Sequence, residues 1–125
     1  MAIIISLQSD IPAYEQIKAQ IKAQILTGEL AADEPLVSMR QLARDLRLSV
    51  ITTTRAYGDL EAEGLIYTVQ GRGSYVKGNA EMVREQYLRL VGDALAAAAE
   101  KGRAAGLGLA ELQGRLEEAY YGKRD

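Results

Sequence analysis

The chain has 125 residues, no cysteine and no histidine, a formal net charge of −2 and a pI near 5.3. This length suits one ordinary domain, or a module of about 75 residues with a short appendage. Without cysteine and histidine, disulfides, zinc fingers, thiol nucleophiles and imidazole bases are excluded, so we expect no metal, no cofactor and no enzymatic activity. No apolar run is long enough to span a bilayer, and Ile3 to Ile5 lacks the features of a signal peptide, which predicts a cytoplasmic protein without a membrane partner.

A short apolar arm and an amphipathic helix are the first predicted elements. Ile3 to Leu7 predicts a strand or extended arm that packs against the rest of the chain or across a dimer. Pro12 suits the first turn of the helix, which Thr27 and Gly28 close. Its apolar stripe consists of Tyr14, Ile17, Ile21 and Ile25. The polar side chains predicted to face solvent are Lys18, Gln20, Lys22 and Gln24. The polar loop that follows contains Asp33, Glu34 and Pro35.

Two helices joined by a tight turn follow. Ser38 is placed to cap the first helix, with Gln41 three residues later as a capping-box partner. Ser49 is placed to cap the second helix, and Gly64 to end it. Their packing faces are Leu42, Ala43 and Leu46 in the first helix, and Thr53, Ala56, Tyr57 and Leu60 in the second. Helices joined by two or three residues cross steeply, which predicts a helix-turn-helix.

A β-hairpin with a basic tip comes next. The segments 65–69 and 74–77 are rich in β-formers, and Gln70-Gly71-Arg72-Gly73 joins them. The order of elements predicts a mainly α fold with a small β-hairpin (α+β), in which residues 1–78 form a winged helix-turn-helix domain.

Four separated segments carry a family resemblance. The segments "SDIPAYEQIKAQIKAQILTGEL", "SMRQLARDL" and "TRAYGDLEAEGLIYTVQGRGSYV", followed by a short helical tail, resemble the GntR family of bacterial transcriptional regulators, in its small YtrA-type subfamily. The match covers residues 8–77 closely. The resemblance implies that Arg40 contacts phosphate or a base, that Arg55 belongs to the recognition helix, and that Arg72, between Gly71 and Gly73, forms a wing tip that enters the minor groove.

Some residues depart from the family pattern. Val37 stands where the family usually has proline, and Arg47 stands in the turn where glycine is common. Val50 and Thr54 replace polar or basic residues that are common in relatives. The first two positions affect the loop and the turn, whereas the last two predict an operator different from the family's commonest one.

The recognition helix begins with five β-branched residues, Val50 to Thr54, whose intrinsic propensity favours a strand. We predict a helix, because the cap at Ser49 and the family pattern outweigh a cost of roughly a few tenths of a kcal/mol per residue. Val50, Ile51 and Thr54 then face away from the core, where methyl groups can contact thymine methyl groups in the major groove. A Val50 packed beneath the turn is the alternative. The predicted DNA-binding residues are Ser38, Arg40, Arg47, Ser49, Val50, Ile51, Thr52, Thr54, Arg55, Gly71, Arg72 and Gly73.

Charge is distributed unevenly along the chain. Between Val37 and Arg55 four arginines stand against Asp45 alone, a net charge of +3. Acidic residues lie mainly at the end of the second motif helix and in the tail. Since only the first half of a recognition helix enters the groove, this distribution favours DNA as a partner despite the negative total.

Residues 79–125 form a predicted tail of two amphipathic helices, with Gly102 and Gly106 marking the end of the first helix. Such a pair cannot bury two apolar faces alone, so it packs on the winged domain, on a second copy, or on both. In the YtrA-type regulators that the chain resembles, this tail is the dimerisation element. The predicted dimerisation residues are Met82, Val83, Tyr87, Leu90, Val91, Ala94, Leu95, Leu112, Leu116 and Tyr120.

The sequence therefore predicts a homodimeric, sequence-specific transcriptional regulator, a repressor, that binds an inverted-repeat operator in double-stranded DNA. The alternative is a winged-helix protein-interaction subunit in which Val50 and Ile51 dock a protein. An unidentified small-molecule effector is left open, and a transporter operon as the target is suggested by the resemblance only.

Overall fold

The computed structural model of the chain describes residues 1–122, and the last three residues of the predicted tail lie outside this range. The elements in chain order are α1 (Ala13–Thr27), α2 (Met39–Leu46), α3 (Val50–Ala62), β1 (Ile66–Val69), β2 (Gly73–Val76), α4 (Ala80–Ala104) and α5 (Leu109–Tyr121). The predicted fold class, mainly α with a small antiparallel hairpin, is confirmed. The chain divides into two compact units, Met1–Glu85 and the segment from Gln86 onward, and the division falls inside α4.

Helix α1 supplies the centre of the first unit. Ile17, Ile21 and Ile25 are buried in the core, as their spacing predicts. The prediction that the intervening polar residues face solvent is wrong, because Lys22 and Gln24 retain only 7% and 8% of their exposed area. The polar side of α1 is covered as well: α3 lies against one part of it and the N-terminal arm against another.

The N-terminal arm is held by a ladder of glutamine amides on α1. The residue pairs are Gln24 with Ala2, Gln20 with Ile4, and Gln16 with Ser6. The Gln16 amide accepts from Ser6 N–H at 2.8 Å and donates to the Ser6 carbonyl at 2.9 Å. Two residues of extended chain span about 6.6 Å and four residues of helix about 6 Å, so successive rungs match in length. The predicted packing of the arm against the chain is confirmed, with Ile3 and Ile5 against the core.

Helices α2 and α3 begin at the predicted caps. Ser38 Oγ accepts from Gln41 N–H at 3.1 Å, and Ser49 Oγ accepts from Thr52 N–H at 3.2 Å. The predicted capping box is wrong, because the Gln41 side chain donates to Asp45 Oδ1 one turn along the helix, at 2.7 Å. Arg47 closes α2 with a left-handed φ of 56°, which explains why glycine suits this turn in relatives.

The five β-branched residues at the start of α3 are helical, as predicted. Thr53 is fully buried, and its hydroxyl donates to the Met39 carbonyl at 2.9 Å and to the Val50 carbonyl at 3.0 Å. The hydroxyl therefore joins the first turn of α3 to the first residue of α2, and this contact fixes how the two helices meet.

The hairpin of β1 and β2 forms the wing, and a further segment of the chain pairs with it. Strand β1 pairs antiparallel with β2, with Ile66 opposite Val76 and Val69 opposite Gly73. The predicted polar loop before α2 also pairs with β2: Asp33 N–H donates to the Val76 carbonyl at 2.7 Å, and Leu36 N–H donates to the Ser74 carbonyl at 2.9 Å. These bonds cover the outer edge of β2, which a lone hairpin would leave open.

In the second unit the end of α4 meets α5 closely. A Cβ atom at Gly102 would lie 2.6 Å from Leu112 Cδ1, so only glycine allows this approach without a shift of Leu112. The predicted end of the helix at Gly102 is wrong, since Gly102 lies within α4, whereas Gly106, with a φ of 81°, lies just beyond the last turn. The N–H of Leu107 donates back to the Gly102 carbonyl at 2.9 Å and completes the helix end.

Candidate nucleic-acid interface

The start of α3 presents aliphatic side chains to solvent. Val50 is 42% exposed and Ile51 is 81% exposed, and Thr54 is also exposed, whereas Thr52 is half-buried. The hydroxyl groups of Ser49 and Thr52 lie 3.0 Å apart, so Ser49 serves both the cap and a side-chain contact. The exposed side chains of Val50, Ile51 and Thr54 form a surface of methyl groups and a hydroxyl that is suited to the edges of base pairs.

Four arginines of the first unit are exposed: Arg40 and Arg47 close to the start of α3, Arg55 in its second turn, and Arg72 at the tip of the hairpin. Arg40 follows Met39, whose carbonyl accepts the Thr53 hydroxyl, so it lies near the start of α3. Arg47 occupies the turn between α2 and α3. Within residues 1–122, none of Arg40, Arg47, Arg55 and Arg72 forms an ion pair with a carboxylate. Their positive charge therefore remains available for an anionic partner.

Arg55 differs from the other three arginines because its guanidinium has a fixed neighbour. Its Cζ lies 3.8 Å from the centre of the Tyr14 ring in the first turn of α1. This is a cation–π contact, which occupies one face of the guanidinium and leaves its N–H groups for other acceptors. The apolar spacing of α1 predicts only a core position for Tyr14 and does not reveal this contact.

Two of the acidic residues at the end of α3 pair with lysines of α1. Lys18 Nζ lies 3.2 Å from Asp59 Oδ2, and Lys22 Nζ lies 3.3 Å from Glu63 Oε1. Burial lowers the pKa of Lys18, but Asp59, Glu63 and Glu15 outweigh it and raise the pKa above its ordinary value. These paired acids lie at the opposite end of α3 from Val50, away from the exposed start of the helix.

Successive contacts between α1 and α3 recur at four-residue intervals on both helices. The three pairs are Tyr14 with Arg55, Lys18 with Asp59, and Lys22 with Glu63. The spacing Tyr-x3-Lys-x3-Lys against Arg-x3-Asp-x3-Glu was the signal in the sequence that could have revealed this arrangement.

A partly buried hydrogen bond positions the segment before α2. The Tyr57 hydroxyl donates to the Val37 carbonyl at 2.6 Å, and burial raises the pKa of Tyr57 above its ordinary range. Val37 directly precedes the cap Ser38, so this bond holds the entry to α2 against α3. A valine at this position, where the family usually has proline, leaves the carbonyl acceptor unchanged.

The wing tip consists of Gly71, Arg72 and Gly73. Gly71 has a φ of 80° and Gly73 a φ of 122°, conformations that side chains rarely adopt. The Arg72 N–H donates to the Val69 carbonyl at 2.9 Å, which fixes the backbone of the tip. Behind it, Tyr67 and Tyr75 stack across the hairpin with ring centres 5.4 Å apart.

The predicted dimerisation residues do not form one set in the structure. Val83 is fully buried in the core of the first unit and is unavailable to a second chain, so its assignment to dimerisation is wrong. Leu112 is half-buried against Gly102. The remaining eight are exposed: Met82, Tyr87, Leu90, Val91, Ala94, Leu95, Leu116 and Tyr120. Within the second unit, Leu95, Leu112 and Leu116 line an apolar cavity of about 530 Å³ between α4 and α5.

Within the described part of the chain, no helix has the length and hydropathy needed to cross a bilayer.

Comparison with known proteins identifies the family. The family model described as bacterial regulatory proteins, gntR family, matches residues 13–76. The chain is 38% identical over 96 residues to the HTH-type transcriptional repressor YtrA of Bacillus subtilis (strain 168), a match that covers 70% of this chain and 74% of YtrA. It is 46% identical over 72 residues to the HTH-type transcriptional repressor NagR of the same organism, covering 58% of this chain and only 30% of NagR.

A solved structure supports the same assignment. The DNA-binding domain of AraR, in complex with operator ORX1, superposes with a TM-score of 0.54 at 29% identity and covers 61% of this chain and 95% of that domain. The order of elements, the family model and the extent of the match to YtrA agree. The chain belongs to the GntR family of bacterial transcriptional regulators, and within it to the YtrA-type subfamily.

Proposed function

We propose that this chain is a transcriptional repressor that binds an inverted-repeat operator in double-stranded DNA as a homodimer. The observation that carries the proposal is the exposed start of α3, where Val50 and Ile51 lie beside arginines that have no carboxylate partner within residues 1–122. The complex of the AraR DNA-binding domain with operator DNA supports a DNA-binding role for this type of domain.

Each part of the surface has a distinct role in this proposal. Val50, Ile51 and Thr54 contact bases in the major groove. Arg40 and Arg55 contact phosphate, and Arg72 enters the minor groove from the wing tip. Ser38, Arg47, Ser49 and Thr52 support these contacts at the helix ends, where N–H groups and hydroxyls can meet phosphate.

The second unit supplies dimerisation in this proposal. Leu90, Val91 and Leu95 form an exposed apolar face on α4, and Leu116 and Tyr120 extend it on α5. A second copy that covers this face would bring two recognition helices to half-sites about one helical turn apart. The protein would act in the bacterial cytoplasm, and an unidentified small molecule could regulate it.

The experiment uses duplexes that the intact chain selects from a random-sequence pool, in mobility-shift titrations at two salt concentrations. We expect Arg40→Ala, Arg55→Ala and Arg72→Ala each to weaken binding, and a pure phosphate contact to lower the salt slope by about one unit. Arg103→Ala, which removes the same charge from an exposed position on α4, is the matched control. Unchanged affinity in all three variants would remove the proposed surface, and failure of the intact chain to bind DNA would overturn the function.

Operator variants separate base contact from docking of a protein by Val50 and Ile51. Replacing operator thymine with uracil removes only the C5 methyl group, so contact with Val50 or Ile51 predicts weaker binding at specific positions. If no uracil substitution changes the affinity, the two aliphatic side chains do not contact thymine methyl groups, and the protein-interaction alternative gains support.

A further inference from the structure

Tyr14 lies at the point where α1 meets the recognition helix. Its ring is half-buried against the core, and the Arg55 guanidinium lies over it with Cζ 3.8 Å from the ring centre. The distance is well inside the roughly 6 Å within which a cation and an aromatic ring attract each other. Tyr14 therefore gives a long, flexible arginine side chain a fixed platform on a different helix.

We propose that Tyr14 is a positioning residue for DNA binding: its ring holds the Arg55 guanidinium in the place where it contacts a DNA phosphate. The inference rests on the proposed function, because it assigns a second residue to the same surface. An arginine without such a platform must give up more rotamer entropy when it is fixed on binding. The platform makes part of this ordering occur in the folded protein before DNA arrives.

The neighbouring contacts between α1 and α3 show why an aromatic residue suits this position. At the next two contacts along α1, Lys18 faces Asp59 of α3 and Lys22 faces Glu63, the residue directly after α3, and the charges cancel. A carboxylate at the position of Tyr14 would also hold Arg55, but it would neutralise the positive charge of the guanidinium. The neutral Tyr14 ring holds the cation while leaving its charge for an anionic partner.

The neighbouring contacts between α1 and α3 also hold the Tyr14 ring in place. Lys18, one turn beyond Tyr14, binds Asp59, one turn beyond Arg55, with 3.2 Å between Nζ and Oδ2. Ile17 and Ile21 are fully buried on the same helix. The first turn of α1 is therefore fixed relative to α3, and movement of the Tyr14 ring is restricted by packing rather than by the Arg55 contact alone.

The test compares three substitutions of Tyr14 in the full-length chain, with duplexes selected by the intact protein. Tyr14→Phe keeps the aromatic face and should bind as the intact chain does. Tyr14→Leu keeps apolar packing but removes the ring, and we expect binding weaker by about 3- to 10-fold, with a shallower salt slope. Tyr14→Glu should weaken binding more than Tyr14→Leu, because it fixes and neutralises Arg55.

Two further measurements separate positioning from a structural role. The double variant Tyr14→Leu with Arg55→Ala should bind no more weakly than Arg55→Ala alone, since both changes remove one contact. In the free protein, the Arg55 side-chain protons should show upfield NMR shifts from the ring current of Tyr14, retained in Tyr14→Phe and lost in Tyr14→Leu. Thermal unfolding of each variant checks that the fold persists.

Several outcomes would overturn the inference. Equal affinity and salt slope in Tyr14→Leu and the intact chain would do so while leaving DNA binding itself intact. A loss in Tyr14→Phe as large as in Tyr14→Leu would show that the hydroxyl acts rather than the ring. Additive losses in the double variant would show that Tyr14 affects binding independently of Arg55. If the intact chain selects no duplex, the proposed function fails and the inference fails with it.

Discussion

The two units of the chain use similar apolar helices in opposite ways. In the first unit, the core-facing apolar residues of α1 and α3 are buried within one chain, and Ile17 and Leu60 retain no exposed area. In the second unit, Leu90 is 54% exposed and Leu116 is 52% exposed. An apolar stripe with helical spacing thus predicts the helix equally well in both units, but it does not say whether the covering surface comes from the same chain.

Val83 shows where this difference begins. The apolar stripe of α4 runs without interruption from Met82 and Val83 to Leu95. Val83 nevertheless belongs to the core of the first unit, whereas Tyr87 and Leu90, one and two turns later, are exposed. The continuous apolar stripe of α4 therefore contains both a position buried in the first unit and positions exposed to solvent, and only the three-dimensional structure distinguishes them.

The largest expected effect is on the free energy of unfolding, and its test compares one leucine from each unit. Leu60→Ala in α3 should lower the free energy of unfolding by about 2–5 kcal/mol, because it leaves a cavity in a closed core. Leu116→Ala in α5 should change the stability of the isolated chain by only about 0.5 kcal/mol or less, since the side chain is half-exposed, but should weaken self-association. Denaturant unfolding and sedimentation velocity measure the two effects, and equal stability losses would contradict the contrast between the units.

Local features of the first unit could be predicted from the sequence because they depend on neighbouring residues. The caps Ser38 and Ser49, the helical spacing of α1 and the glycine at the end of α3 are all local signals. The helical state of Val50 to Thr54 was also predicted, although intrinsic propensity favoured a strand. Here the cap and the buried hydroxyl of Thr53 outweigh local preference.

Contacts between distant segments could not be predicted in the same way. The pairing of Asp33 and Leu36 with β2 uses backbone groups, which the side-chain pattern does not show. The glutamine ladder on α1 and the Tyr14–Arg55 contact join residues 10 to 41 positions apart. For the candidate site, residue types and the family resemblance predict which arginines contact DNA, whereas the Tyr14 ring beneath Arg55 depends on the packing of α1 against α3.

The second prediction tests where the first unit ends. A chain of residues 1–85 keeps Val83 and the cap of α4, in which Asn79 Oδ1 accepts from Met82 N–H at 3.0 Å, and should fold as a monomer. A chain of residues 1–78 loses Val83 and should be less stable by roughly 2 kcal/mol, the value of a buried valine. Thermal and denaturant unfolding provide the comparison, and equal stabilities would show that Val83 contributes little to the core.

Both truncated chains should also lose operator affinity, by a factor on the order of 100, because two half-sites are then no longer engaged by one linked pair of domains. Titration of a selected full operator against chain 1–85 and the intact chain measures this factor. A truncated chain that remains dimeric, or binds the full operator as tightly as the intact chain, would show that the second unit does not couple the two domains.

The smallest expected effect concerns the ion pairs that join α1 to the acidic end of α3 within the first unit. The pKa of Lys18 is raised above its ordinary value of 10.5, because Asp59, Glu63 and Glu15 together outweigh the opposing effect of burial. The folded chain therefore holds this proton more tightly than the unfolded chain. The resulting stabilisation, about 1 kcal/mol or less, is fully present below pH 10.5 and is lost as the pH rises through the folded-state pKa.

Denaturant unfolding of the intact chain between pH 9 and about pH 12 should show this loss as part of its pH dependence. Lys18→Met keeps the length of the side chain without its charge and should lack this pH-dependent contribution. The difference in free energy of unfolding between the two chains should therefore shrink as the pH rises. A difference that stays constant across this range would show that Lys18 stabilises α1 through packing of its methylene groups and that its charge contributes nothing measurable.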